Sequence, residues 1–228
     1  MAGFPGKRKS TLVKYIVAFI TLLIVATLFL CLYFVWLKKG LDNRKAENAS
    51  TDSKDLVVVI DAGHGGSEPG CVIGNIMEKD ITLSIAHKVE KKLNSQNITV
   101  IMTRNLDEYP TLKERGEMAQ GADYFVSIHC NSNTYNTSAF GFECYYYYDR
   151  DKKLAEQLIQ EARTKGIVEN GMKYGDFQVL RDTDMPSVLV ETGYMTNERE
   201  LENLCSKEYQ LELADVIADA IGSMEENQ

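Results

Sequence analysis

Two of the chain's three histidines sit where apolar, β-branched runs give way to small and polar residues. His64 lies in Asp61-Ala62-Gly63-His64-Gly65-Gly66, directly after Leu56–Ile60. His129 lies in Ser127-Ile128-His129-Cys130-Asn131, at the end of the run Tyr124–Ile128. Neutral imidazole is the commonest metal ligand, and two His plus one carboxylate with a place left for water is a catalytic zinc arrangement. The glycines beside His64 let backbone and ligand approach closely. Glu78, in Met77-Glu78-Lys79-Asp80 at a loop-to-helix junction, is the natural third ligand, although a helix N-terminus also favours an acid there for its own stability. The plainer alternatives for the histidines are a turn residue among glycines and a satisfied residue at the sheet edge. His87 falls on the flank of a helix away from Ile85 and Val89 and reads as a surface residue.

Glu191 follows Val188-Leu189-Val190, and an unpartnered carboxylate at the end of a buried strand is costly. It either pairs with a cation or neighbours a metal, where a non-ligating Glu is the usual general base for an activated water. The alternative is a helix-capping carboxylate before Thr192.

These residues need a frame that brings strand ends together. Leu56–Ile60, Ile98–Thr103, Tyr124–Ile128, Phe140–Tyr148, Phe177–Leu180 and Val188–Val190 read as strands. Between and after them come helical patterns at Ile81–Leu93, Leu112–Gln120, Leu154–Ala162 and Tyr209–Met224. Strands alternating with helices imply an α/β fold, a mostly parallel twisted sheet flanked by helices. In such sheets the site lies at the carboxyl ends of the strands.

The composition narrows the partners. The chain has 228 residues, is 44% hydrophobic and carries a net charge of -8, which gives room for one ordinary domain with a core. Residues 1–45 are basic, so the remainder is strongly acidic, which excludes wrapping nucleic acid. From Tyr15 to Leu37 run 23 uncharged, largely apolar residues, long enough to span a bilayer of about 30 Å as a helix. No small-x-small cleavage site follows, so the segment reads as an uncleaved transmembrane helix rather than a signal peptide. The expected plan is a cytoplasmic tail (1–14), a transmembrane anchor (15–37), a polar linker (38–54) and a catalytic domain (55–225). The five cysteines show no paired spacing, which argues against a disulfide framework or Cys-ligated zinc.

Taken together, Val58-Val59-Ile60-Asp61-Ala62-Gly63-His64-Gly65-Gly66, Glu78-Lys79-Asp80, Thr103-Arg104, Ser127-Ile128-His129-Cys130-Asn131 and Pro186-Ser187-Val188-Leu189-Val190-Glu191-Thr192-Gly193-Tyr194-Met195-Thr196-Asn197 resemble the zinc-dependent N-acetylmuramoyl-L-alanine amidases of bacterial cell walls. The blocks stand in family order from about Leu56 to Ile221. The resemblance implies Zn²⁺ held by His64, Glu78 and His129, catalysis by Glu191, and peptidoglycan as substrate. Ser67-Glu68-Pro69-Gly70-Cys71 and Cys130 depart from the usual pattern and place two thiols near the expected metal. Only 11 residues separate His129 from Gly141, so no long insertion of the kind that covers some family sites is expected. A lone amidase domain on an anchor looks like the germination-specific, spore-cortex branch. The implied location is the cell membrane, single-pass, with the catalytic domain extracytoplasmic; a protein activator is left open. Tyr145, Tyr146, Tyr147, Tyr148 and Tyr194 are candidates for glycan and peptide contact, or simply strand packing. The rival readings are a catalytically silent peptidoglycan-binding module and another zinc hydrolase, a peptidase or deacetylase.

Overall fold

The computed structural model describes residues 56–225 continuously, together with Phe19, Ile20, Thr27, Leu30, Tyr33, Phe34 and Lys38. The expected span 15–37 thus lies for the most part outside the described residues, as do the tail 1–14 and nearly all of the linker. Among the described residues no helix is long and apolar enough to cross a membrane. The chain divides into two units, Met1–Lys54 and Asp55–Gln228.

The strands of the second unit are β1 (Val57–Ala62), β2 (Val72–Ile73), β3 (Ile76–Met77), β4 (Thr99–Met102), β5 (Tyr124–Asn131), β6 (Phe142–Tyr146), β7 (Glu169–Tyr174) and β8 (Ser187–Tyr194). Its helices are α1 (Glu78–Ser95), α2 (Leu112–Met118), α3 (Lys152–Thr164), α4 (Gln178–Arg181), α5 (Glu198–Cys205) and α6 (Lys207–Glu225). Six strands form one sheet in the order β4-β1-β5-β8-β6-β7, and β2 pairs with β3 in a separate two-stranded ribbon. Every pairing in the large sheet is parallel except β6 with β8. The expected α/β architecture with a mostly parallel sheet is therefore the observed one.

Side-chain alternation splits the sheet into two faces. Val58, Ile60, Val126, Ile128, Phe142, Cys144, Val188 and Val190 face one core, which is closed by the apolar faces of α1, α3 and α6. Val59, Phe125 and Leu189 face a smaller core with Val179, Leu180 and Met185. Among the described residues only the short helices α2 and α4 cover this second face, so its end beyond Leu189 is left for polar side chains. Asp61, Ser127, His129, Glu191 and Glu143 continue the same alternation at that end.

One expectation needs correction, and one strand went unread. Phe177–Leu180 is not a strand: Phe177 precedes the helical turn α4, and Val179 and Leu180 are buried against the second face. A four-residue apolar run cannot distinguish a buried turn from a strand by periodicity. Conversely, Glu169-Asn170-Gly171-Met172-Lys173-Tyr174 is a strand although its sequence is polar, because it is an edge strand held by backbone pairing to β6. The strands bearing His129 and Glu191 also run further than their apolar cores, so both residues lie within strands rather than after them.

Candidate active site

His64 comes from the turn after β1, Glu78 opens α1, and His129 stands near the end of β5. Their donor atoms meet. Glu78 Oε1 lies 3.1 Å from His64 Nε2 and 3.0 Å from His129 Nδ1. The two ring nitrogens are themselves 3.1 Å apart. Ligands about 2.0–2.1 Å from a tetrahedral zinc stand roughly 3.3 Å from one another. The triangle fits that edge length, and the donor set is one that zinc accepts.

The turn is built tightly around these rings. A Cβ on Gly63 would lie 2.4 Å from the His129 ring, and one on Gly70 would lie 2.6 Å from Glu78 Oε2. Glycine is required at both because the His129 and Glu78 side chains occupy the space. His64 itself has φ of 61°, an uncommon conformation for a residue with a side chain, held here by its surroundings. Two buried arginines do the holding. Arg104 donates from Nε to the Ala62 carbonyl at 2.9 Å and from Nη2 to the Gly63 carbonyl at 2.9 Å. Arg115 donates to the carbonyls of Ala62 at 2.9 Å and His64 at 2.8 Å, and pairs with buried Asp61. Asp61 also accepts from Thr103 Oγ1 and Ser127 Oγ, both at 2.6 Å.

Glu78 is fixed from the other side. The backbone amides of Cys71 and Cys130 donate to its two oxygens at 2.9 and 3.0 Å. The unusual thiol positions therefore serve the site through their main chain. Burial pushes the Glu78 carboxyl up, but hydrogen bonds from His129 and His64 outweigh this and hold it well below the ordinary carboxylate range. Burial lowers His64, and its hydrogen bond and charge contact with Glu78 overcome that, leaving it raised.

Glu191 sits directly across from His129 in the β5–β8 register. Its Oε2 is buried without a hydrogen-bond partner. Burial, then the charges of Glu78 and Glu143, push its carboxyl well above the ordinary range. It caps no helix: the N-cap of α5 is Asn197, whose side chain accepts from the amides of Arg199 and Glu200. Nor does it pair with a cation among the described residues. The rest of its block has structural work, with Thr192 Oγ1 donating to the His129 carbonyl at 2.9 Å and the Met195 amide donating to the Asn131 carbonyl at 2.8 Å.

His87 lies apart from this cluster, exposed on α1 beside Glu90 and the Asn105 carbonyl. Of the tyrosines, Tyr145 and Tyr194 reach the site's edge, both donating at 2.8 Å to Glu143. Tyr146, Tyr147 and Tyr148 pack further along the strand, in ring contacts with Tyr174 and between Tyr147 and Tyr148. Arg115 and Glu143 are the site residues that sequence reading missed. A lone acid in the aromatic strand Phe142–Tyr146, at an alternation position facing away from Phe142 and Cys144, was the available signal for Glu143.

The amidase family model described as N-acetylmuramoyl-L-alanine amidase matches residues 58–223. The chain is 36% identical over 169 residues to the N-acetylmuramoyl-L-alanine amidase LytC of Bacillus subtilis, a match covering 71% of this chain and 34% of LytC. This chain thus spans about a third of that relative's length. The catalytic domain of CwlV, the amidase of Bacillus (Paenibacillus) polymyxa var. colistinus, superposes with a TM-score of 0.72 at 37% identity, covering 76% of this chain and 99% of that one. The CwlD amidase of Clostridioides difficile, solved in complex with the GerS lipoprotein, superposes with a TM-score of 0.72 at 29% identity, covering 76% of this chain and all of that one. This chain belongs to the N-acetylmuramoyl-L-alanine amidase family and is a peptidoglycan amidase, cleaving the bond between N-acetylmuramic acid and L-alanine.

Proposed function

We propose that hydrolysis is zinc-dependent, with His64, Glu78 and His129 as the protein ligands and Glu191 as the group that moves the proton. The observation that carries this reading is the buried, unpartnered Glu191 oxygen next to a triangle of two imidazoles and a carboxylate. A zinc ion held by the three would polarise the scissile carbonyl and acidify an attacking water. The chain's residues do the rest. Arg104 and Arg115 keep the His64 turn rigid, and the Cys71 and Cys130 amides orient Glu78, so the ligands need little rearrangement. Glu191 takes the proton from water at a carboxylate oxygen and delivers it to the amide nitrogen as the C–N bond breaks. The products are a lactyl carboxylate and a peptide with a free L-alanyl amine.

Glu191→Gln tests the assignment. Glutamine keeps the shape but cannot accept the proton, and general acid–base groups contribute about 10²–10⁴-fold in rate. The variant is expected to retain zinc and lose turnover by that order. A zinc-loaded variant with near wild-type turnover rejects the role.

We further propose that residues 15–37 anchor the enzyme in the cell membrane with the catalytic domain outside, where its substrate is. The 23-residue uncharged run supports this. A spore-cortex role is proposed on the sequence resemblance alone, an amidase domain carried behind an apolar N-terminal segment. The complex of CwlD with GerS is the reason to include an accessory protein in the proposal. Digestion of vegetative and cortex peptidoglycan side by side tests the cortex role, and equal cleavage of both argues against it.

A further inference from the structure

Beyond Glu191 the sheet continues through β6 to the edge strand β7, and a polar group is buried there that the hydrolysis itself does not use. Glu143 is directly across from Glu191 in the β6–β8 register and is 1% exposed. It is saturated with donors. Tyr194 Oη and Lys173 Nζ both reach its Oε1 at 2.8 Å, with Asn170 Nδ2 at 3.3 Å. Tyr145 Oη reaches its Oε2 at 2.8 Å. The pair is asymmetric in exposure: the Glu143 side chain is 1% exposed and the Lys173 side chain 43%. An ammonium has three donors, and a buried carboxylate that takes one leaves the others facing solvent at a fixed place.

The order of the strands gives that place a meaning. His129 is on β5, Glu191 on β8, Glu143 on β6 and Lys173 on β7, in that spatial order. A base that hands its proton to the leaving nitrogen stands on the leaving-group side of the scissile bond. With Glu191 in that role, the peptide attached to that nitrogen would continue past Glu191 over β6 and β7, and the acyl side with its sugar would lie toward β1 and the His64 turn. Glu143 itself is buried beneath Tyr145, Tyr194 and Lys173, so the group it presents at that place is the half-exposed Lys173 ammonium.

We propose that Lys173, held in place by Glu143 and flanked by Tyr194 and Asn170, forms a subsite for a carboxylate on the departing peptide. This rests on the amidase reading and on Glu191 as proton carrier. Glu143 is the positioning residue and Lys173 the specificity-determining one. A charge-assisted hydrogen bond from Lys173 favours an acidic peptide, and Tyr194 and Asn170 supply the fixed polar wall beside it.

The test uses the zinc-loaded full chain and two soluble compounds: N-acetylmuramoyl-L-alanyl-glutamate and the same compound with both glutamate carboxylates amidated. The readout is the ratio of their kcat/KM values. Wild type is expected to prefer the acidic compound by about tenfold or more, the preference arising in KM. Lys173→Met is expected to abolish the preference and Lys173→Arg to keep much of it. Because Lys173→Met leaves Glu143 buried without its cation, the double variant Glu143→Gln/Lys173→Met provides a second, uncharged form, and it too should lack the preference. A role for Lys173 in folding alone would lower both values and leave the ratio unchanged, which overturns the subsite. Wild-type cleavage of both compounds at equal kcat/KM also overturns it. Cleavage of neither compound by wild type overturns the amidase reading and the subsite together.

Discussion

The single carboxylate of Glu191 carries two consequences that separate catalysis from stability. Its pKa in the folded, metal-free protein is raised by burial and by the charges of Glu78 and Glu143. A group raised on folding contributes its stability below its unfolded pKa and loses that contribution as pH rises through the folded value. Metal-free wild type should therefore lose stability, relative to Glu191→Gln, between the ordinary carboxylate range and neutral pH. The expected result is a higher melting temperature for Glu191→Gln at neutral pH, with the gap closing in acid. A capping or ion-paired carboxylate would give the opposite sign, a less stable Gln variant at neutral pH. Thermal unfolding of the two metal-free proteins across pH decides between them.

The turn between β1 and β2 depends on groups distant in sequence, so its rigidity belongs to the packing of elements. Arg115 projects from α2 to satisfy carbonyls of residues 62 and 64 and the buried Asp61 carboxylate. Arg115→Met leaves Asp61 buried without its cation, and breaking a buried pair from one side typically costs about 3–5 kcal/mol. Urea unfolding should register a loss of that order, whereas removing exposed Lys113, which pairs with its helix neighbour Glu117, should change little. Equal, small effects would mean the arginine is not what supports the turn. The same dependence on distant partners limits what can be read from sequence. The strand ends with His64, His129 and Glu191 were legible because a buried apolar run followed by a polar residue is a local signal. Arg115 was not, since it matters through partners on β1 and the turn after it, and Glu143 offered only the weak signal of an acid in an aromatic strand. β7 was hidden because an edge strand needs only backbone pairing, and α4 because four apolar residues fit either period.

At the scale of the molecule, a basic N-terminal segment precedes a strongly acidic body. If residues 15–37 span the membrane as proposed, protease added to intact protoplasts should remove the body and spare the tail; a fully protected body would contradict that orientation. The acidic body also means that attraction to acidic groups of a substrate is not supplied by net charge, which is why the proposal rests on a local cation, Lys173. The most direct test of the whole account is the chemistry of the products. Purified peptidoglycan is digested with the full chain, with and without a chelator and with zinc restored, and the fragments are identified by mass. The account predicts peptides bearing a new free L-alanyl amine and glycan strands stripped of stems, lost with chelator and regained with zinc. New amines within the peptide or on glucosamine, or release that a chelator does not affect, would contradict it.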